Sequence, residues 1–205
     1  MGAVCLLLLL LLADCGLRTA DCGISVTRPA YAPTVTPIAG AGTVQVAPPT
    51  GVRTRTDPND FGTIRGGFGQ PIKSLRSAIP ITAVVARAMS DALAQRNMLA
   101  RGAAPVEIRL TIGRIDASRL IRLEAHALLR AQLVETASGR VRWEGTGQSN
   151  QTSGSVLALD NGIFASPTEL AALTAKAMSE AIDRIVVDPA FRRAVGGGGD
   201  WMAPD

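Results

Sequence analysis

The chain has 205 residues, 47% of them hydrophobic but only 3% aromatic, so one domain can build a real core, and that core must be aliphatic and rich in alanine. The formal net charge is only +4 and is spread along the chain, 19 of the 21 basic residues being arginine, which excludes the clustered footprint of a nucleic-acid-binding domain. Three cysteines, none beyond residue 22, exclude a disulfide framework and a CxxC metal or redox site.

The first element is the unbroken leucine run Leu6 to Leu12, followed at once by Ala13-Asp14-Cys15-Gly16. The apolar stretch is too short for a membrane span, which takes about 20 residues, and has the length of a signal-peptide core. Residues 1–14 are therefore expected to be a lipoprotein signal peptide, with Cys15 the acylated residue. Cys22, in Thr19-Ala20-Asp21-Cys22, is the alternative acylation site. A Cys15–Cys22 bridge is the other use of the pair in an oxidising compartment.

Residues 15–41 carry Pro29, Pro33 and Pro37 among small residues and are expected to be a tether. Gly42 to Ala47 predicts a first short strand, and residues 51–77, rich in turn formers, a long loop. Ile81, Val84, Val85, Ala88, Met89, Ala92 and Leu93 recur at helical spacing and predict a helix from about Pro80 to Ala100, stopped near Gly102. The period then falls to two: Val106, Ile108, Leu110 and Ile112 form one half-buried strand, and Leu123, Ala125, Ala127, Leu129, Ala131 and Leu133 the inner face of a second. Thr136-Ala137-Ser138-Gly139 is a turn into a third strand, Arg140 to Thr146, with Val141 and Trp143 inward. Residues 147–165 predict a loop. Ser166-Pro167-Thr168-Glu169 is a capping box opening a second helix, whose stripe is Leu170, Leu173, Ala177, Ala181, Ile182 and Ile185 and which ends at Asp188-Pro189.

The fold class expected from this order is α+β: a small antiparallel sheet of three to four strands with two helices packed on one face. Residues 42–192 form the single domain, and residues 193–205 a disordered, glycine-rich tail.

With its signal end at Leu12 to Cys15, Val44-Gln45-Val46, Gly62-Thr63-Ile64-Arg65, Ile79-Pro80-Ile81 before the helix, and Ser138-Gly139-Arg140-Val141-Arg142-Trp143-Glu144-Gly145 at the hairpin, the chain resembles the YajG-like family of bacterial envelope lipoproteins. That resemblance, over roughly residues 12–192, implies a periplasmic domain tethered to the outer membrane, and no defined reaction. Auxiliary lipoproteins of lipid-transport systems share the same layout of strands and helices.

No cofactor and no catalytic residues are expected. His126 is the only histidine. No nucleophile with an orienting group, and no set of metal ligands, accompanies it in the pattern, so it reads as a solvated strand residue. Gly66-Gly67-Phe68-Gly69 lacks GxGxxG spacing and a P-loop lysine and reads as a flexible loop. The Asn150-Gln151-Thr152 sequon is expected in a loop without glycan. The arginines of the strands alternate with carboxylates, the pattern of cross-strand ion pairs on a wet face. Arg109, Arg122, Arg130 and Arg142, with loops 57–70 and 147–165, are the candidate surface for an acidic partner or a lipid head group. The expected function is a lipid-anchored periplasmic binding or assembly module that works without catalysis. The alternative is an accessory lipoprotein of envelope lipid transport, binding lipid or a transporter subunit. The partners expected are the membrane, through the anchor, and an envelope protein.

Overall fold

The centre of the fold is a pair of long antiparallel strands, β5 (Val106–Arg119) and β6 (Leu123–Glu135), in register from Val106↔Glu135 to Arg119↔Leu123. The computed structural model describes residues 44–51, 57–66, 68–119, 122–153 and 167–196. Cys15, Cys22 and Ser166, and with them the signal peptide, the acylation sites and the cap of the capping box, lie outside those residues.

Strict alternation builds β6. Leu123, Ala125, Ala127, Leu129, Ala131 and Leu133 are all buried, as the two-residue period requires. β5 starts with the same alternation but carries one extra residue. Ile112 pairs with Leu129 and Arg114 with Leu128, which leaves Gly113 bulged out of the ladder. The bulge shifts the phase, so that Ile115, Ala117 and Arg119 stay on the inner face already held by Val106 to Ile112. The strand therefore runs seven residues beyond the predicted end at Ile112.

Three further strands pair with β5 along its other edge, all parallel to it. These are β1 (Val44–Val46), β2 (Thr50–Gly51) and β3 (Asp60–Arg65). β4 (Pro71–Arg76) closes an antiparallel hairpin on β3, and β7 (Val141–Ser153) forms the opposite edge on β6. The described residues thus hold a mixed seven-stranded sheet, not an antiparallel one of three to four strands. The described residues of the segment 51–77 are largely paired and do not form a long loop. It escapes the periodicity because β3 and β4 are short, contain Gly62 and Pro71, and bury only Phe61 and Leu75 among their large apolar side chains.

Residues 147–153 are likewise strand. The buried residues of β7 are Gly147 and Ser149, both small and on the inner face. The sequon residues Asn150 and Thr152 therefore sit in a strand, not a loop. Val141 is 47% exposed and does not face inward: the ladder shifts between Leu133↔Trp143 and Val134↔Val141, which turns Val141 out of phase with Trp143.

Helix α1 (Ile81–Ala94) buries Ile81, Val85, Ala88, Met89, Ala92 and Leu93. Pro80 precedes its first turn as N-cap, and the Ile81 N–H donates to the Pro58 carbonyl at 3.0 Å. The helix stops short of the predicted Ala100, and Gly102 is not its stop. Asn97 takes the left-handed conformation (φ 55°), and the Met98 N–H closes back on the Leu93 carbonyl at 2.9 Å. Asparagine is one of the few side chains that tolerates this geometry. Helix α2 (Pro167–Val186) lies across β6 and β7 and buries Leu170, Ala177, Ala181, Ile182 and Ile185. A third helix, α3 (Pro189–Val195), follows it. Asp188 caps α3 by accepting from the Ala190 N–H at 2.8 Å, and Pro189 fills its first turn.

One aliphatic core joins the inner sheet face to α1 and α2. Each fully buried leucine there contributes about 1.5–3 kcal/mol of transfer free energy. The two helices are also linked by charge. Arg96, just past α1 and fully buried, reaches Asp183 of α2 at 2.8 Å and donates to its own Ala92 carbonyl at 2.9 Å. At the far side, Trp143 of β7 packs edge-on against Phe191 of α3, with centroids 5.0 Å apart, and its indole N–H donates to Asp188 at 3.1 Å. No helix among the described residues is long and apolar enough to cross a membrane.

Candidate interaction surface

With both long helices on the inner face, the side chains of opposite phase on β5, β6 and β7 form an outer face that no described element covers. Pairing sets its rows: Arg109, Gln132 and Glu144 share one, Thr111, Arg130 and Thr146 the next, and Asp116, His126 and Asn150 another. Every side chain in these rows is polar, and the row between the last two, Arg114, Leu128 and Gln148, adds one half-buried leucine to an otherwise wet phase.

The expected cross-strand ion pairing is present only in part: Arg142 of β7 meets Glu135 of β6. Arg109, Arg114 and Arg122 instead each take the acid two residues away along the chain, where i and i+2 share a face. Arg109 bonds Glu107, with Nε to Oε1 at 2.6 Å; Arg122 bonds Glu124 at 2.8 Å; and Arg114 forms a two-pronged contact with Asp116. The hydrogen bonding that Arg114 donates to Asp116 is the main cause that raises its guanidinium above the ordinary value. On the rest of this face the cross-strand contacts involve neutral groups. Gln132 donates to Glu144 at 3.1 Å, and the His126 ring Nδ1 lies 2.8 Å from the Asn150 side-chain oxygen.

The four arginines chosen from sequence do not form one patch. Arg109 and Arg130 are diagonal neighbours, since Arg109 pairs with Gln132 and Arg130 with Thr111. Arg122 precedes β6 at the opposite end of the ladder. Arg142 lies at the start of β7, beside the β6–β7 turn, where Glu135 holds it. That carboxyl is kept below its ordinary value first by the Ser138 hydroxyl and then by Arg142. The residue missed on the outer face is Arg114. Its phase could be assigned only by recognising the Gly113 bulge.

A second feature lies at the N-terminal ends of α1 and α2. A small apolar groove of about 30 Å³, open to solvent, is lined by Phe61, Ser77, Ile81, Val84, Ile115, Ala171, Thr174, Ala175 and Met178. Its two hydroxyl groups are engaged locally: Thr174 donates to the Leu170 carbonyl at 2.7 Å, and Ser77 accepts from the Ile79 N–H at 3.3 Å. Alternation and helical spacing place these residues in separate elements, so the groove was not visible in the sequence. Among the described residues, no three His, Cys, Asp or Glu side chains are grouped to hold a metal ion.

No family model matches the chain. No curated protein matches it either. Solved structures do. Protein XCC0632 from Xanthomonas campestris, described as of the family DUF330, superposes with a TM-score of 0.55 at 20% identity, over 74% of this chain and 88% of that one. The hypothetical protein CT253 from Chlamydia trachomatis superposes with a TM-score of 0.50 at 10% identity, over 78% of this chain and all of the other. Lipoprotein GNA1162 from Neisseria meningitidis is more remote, with a TM-score of 0.30 at 13% identity over 55% of this chain and 84% of that one. The first two likenesses establish that this arrangement of strands and helices occurs in bacterial proteins, and they speak to the fold alone.

Proposed function

We propose that the chain is a lipid-anchored module of the bacterial envelope, of the YajG-like kind, that binds or assembles with another envelope component and works without catalysis. The observation that carries this reading is the leucine run that leads to Cys15, joined by a proline-rich segment to a domain whose core is closed on one sheet face while the other carries mostly polar side chains that no described element covers. Such a domain is a rigid platform, and exposed polar surface on a rigid platform is where recognition without chemistry takes place. In this reading Cys15, or Cys22 in its place, carries the acyl chains, the domain stands on the periplasmic side of the outer membrane, and His126 is a sheet residue bonded to Asn150.

The apolar lining of the small groove at Phe61, Ile81, Val84 and Met178 carries a second reading, in which the module serves envelope lipid transport and the groove widens to take an acyl chain. Cross-linked capture from intact envelopes, with proteins and lipids both identified, separates the two. The first reading expects a protein partner that is lost when Arg109 and Arg130 are reversed to Glu. The second expects bound lipid that survives those changes and is lost when Val84 is enlarged to Trp.

A further inference from the structure

The β3–β4 hairpin ends in a feature that neither reading uses. Phe68 at its tip is 99% exposed, and Ile72, where the chain returns, is 67% exposed. The two make an exposed apolar pair at one hairpin tip, in a chain with only four phenylalanines. The tip holds it there by construction. The Gly66 N–H donates to the Gln70 carbonyl at 2.8 Å, the Gly69 N–H donates to the Gly66 carbonyl at 2.8 Å, and Arg65 donates to the Gly69 carbonyl at 3.0 Å. Gly69 supplies the positive φ of 81° that the turn needs. The charge around it has one sign. Between Asp60 and Asp91 the sequence contains no acidic residue and four basic ones: Arg65, Lys73, Arg76 and Arg87. Arg76 is paired with Asp57 lower on the hairpin, whereas Arg65 and Lys73 flank the tip.

We infer that this tip is a second membrane contact: Phe68 and Ile72 enter the interface of an anionic phospholipid bilayer, and Arg65 and Lys73 meet its phosphate groups. An aromatic and an aliphatic side chain flanked by cations is the chemistry that interface selects. The inference rests on the lipid-anchored reading, because one such hairpin holds a protein to a bilayer only weakly and needs the acyl chain to keep it close. The geometry permits both at once. β1 enters beside Val106 and the hairpin leaves beside Arg119, so the two are separated by the length of β5, about 45 Å at 3.3 Å per residue. The 28 residues between Cys15 and Val44 span up to about 95 Å. Attachment at one end of the sheet therefore leaves the hairpin free to turn to the membrane.

The test uses the full chain purified from membranes of an expressing bacterium. It is reconstituted on vesicles of phosphatidylethanolamine and phosphatidylglycerol, with and without brominated acyl chains. Phe68→Trp is introduced on a Trp201→Phe background, and the Trp201→Phe parent gives the baseline from Trp143. Co-flotation of the parent with vesicles reports the anchor independently. The expected result is flotation of both proteins, with the emission of the introduced indole quenched by bromine well beyond the baseline, and quenching that falls when Arg65 and Lys73 are changed to Glu. Flotation with no quenching beyond the baseline overturns the hairpin contact and leaves the anchor standing. Absence of flotation overturns the anchored reading and the hairpin contact that depends on it.

Discussion

A Cβ placed on Gly147 would overlap the carbonyl oxygen of Ala181, so α2 rests on the backbone of β7 with no side chain between them. Replacing Gly147 by alanine must lift the helix or bend the edge strand. The expected loss is about 3 kcal/mol, the upper range for overpacking a closed core, read as a lowered denaturation midpoint with an unchanged slope. Gly139→Ala acts differently. Its site is open, and only its φ of 71° resists a side chain, so the loss there should be about 1 kcal/mol.

Trp143 joins β7 to α3 through Phe191 and through Asp188, which also caps that helix. Trp143→Ala should cost about 3 kcal/mol, because ring packing and an edge-to-face contact are lost together. Trp143→Phe keeps most of the packing and removes the hydrogen bond, for a loss of about 1 kcal/mol. Equal midpoints for the two variants would show that the ring contributes nothing.

The Arg96–Asp183 pair is the charged link between α1 and α2. Asp183→Ala takes the carboxylate from a fully buried guanidinium and should cost about 3 kcal/mol, whereas Arg96→Met retains the apolar stem and should cost less. A denaturation series on the two variants checks the order.

Glu135 makes the hairpin turn sensitive to acid. Its folded carboxyl is held below the ordinary value of 4.5, by Ser138 first and Arg142 second. The stabilisation is thus fully present above pH 4.5 and is lost as the pH falls through the lowered folded value. Glu135→Gln should flatten that acid limb and leave the slope at neutral pH unchanged, as a denaturation series across pH would record.

How far the fold could be read from the sequence depended on what each element buries. β6 was legible because every second residue from Leu123 to Leu133 is apolar and every one of them faces the core. α1 and α2 were legible for the same reason at helical spacing. β3 and β4 were not, because they bury few large side chains. The second half of β5 was hidden by the Gly113 bulge, and the second half of β7 by Gly147 and Ser149, which are small because a helix lies on them. The candidate surface was legible as a wet face. Its pairing was not, since residues two apart on one strand and residues opposite on two strands give the same alternation of charge.

Arg109 and Arg130 test the wet face as a binding surface. Reversing both to Glu should change stability by no more than about 1 kcal/mol each, because exposed ion pairs contribute little, while weakening capture of the envelope partner through like-charge contact. A large loss of stability would assign these side chains to the fold instead of to recognition.

The central claim is the lipid anchor at Cys15. It is tested most directly by metabolic labelling with an alkyne fatty acid, followed by fractionation of wild type, Cys15→Ser and Cys22→Ser. A lipid-anchored module acylated at Cys15 gives label and membrane association in wild type and Cys22→Ser, and neither in Cys15→Ser. Label and membrane association retained in Cys15→Ser would contradict it, and their loss in Cys22→Ser alone would move the anchor to the second cysteine.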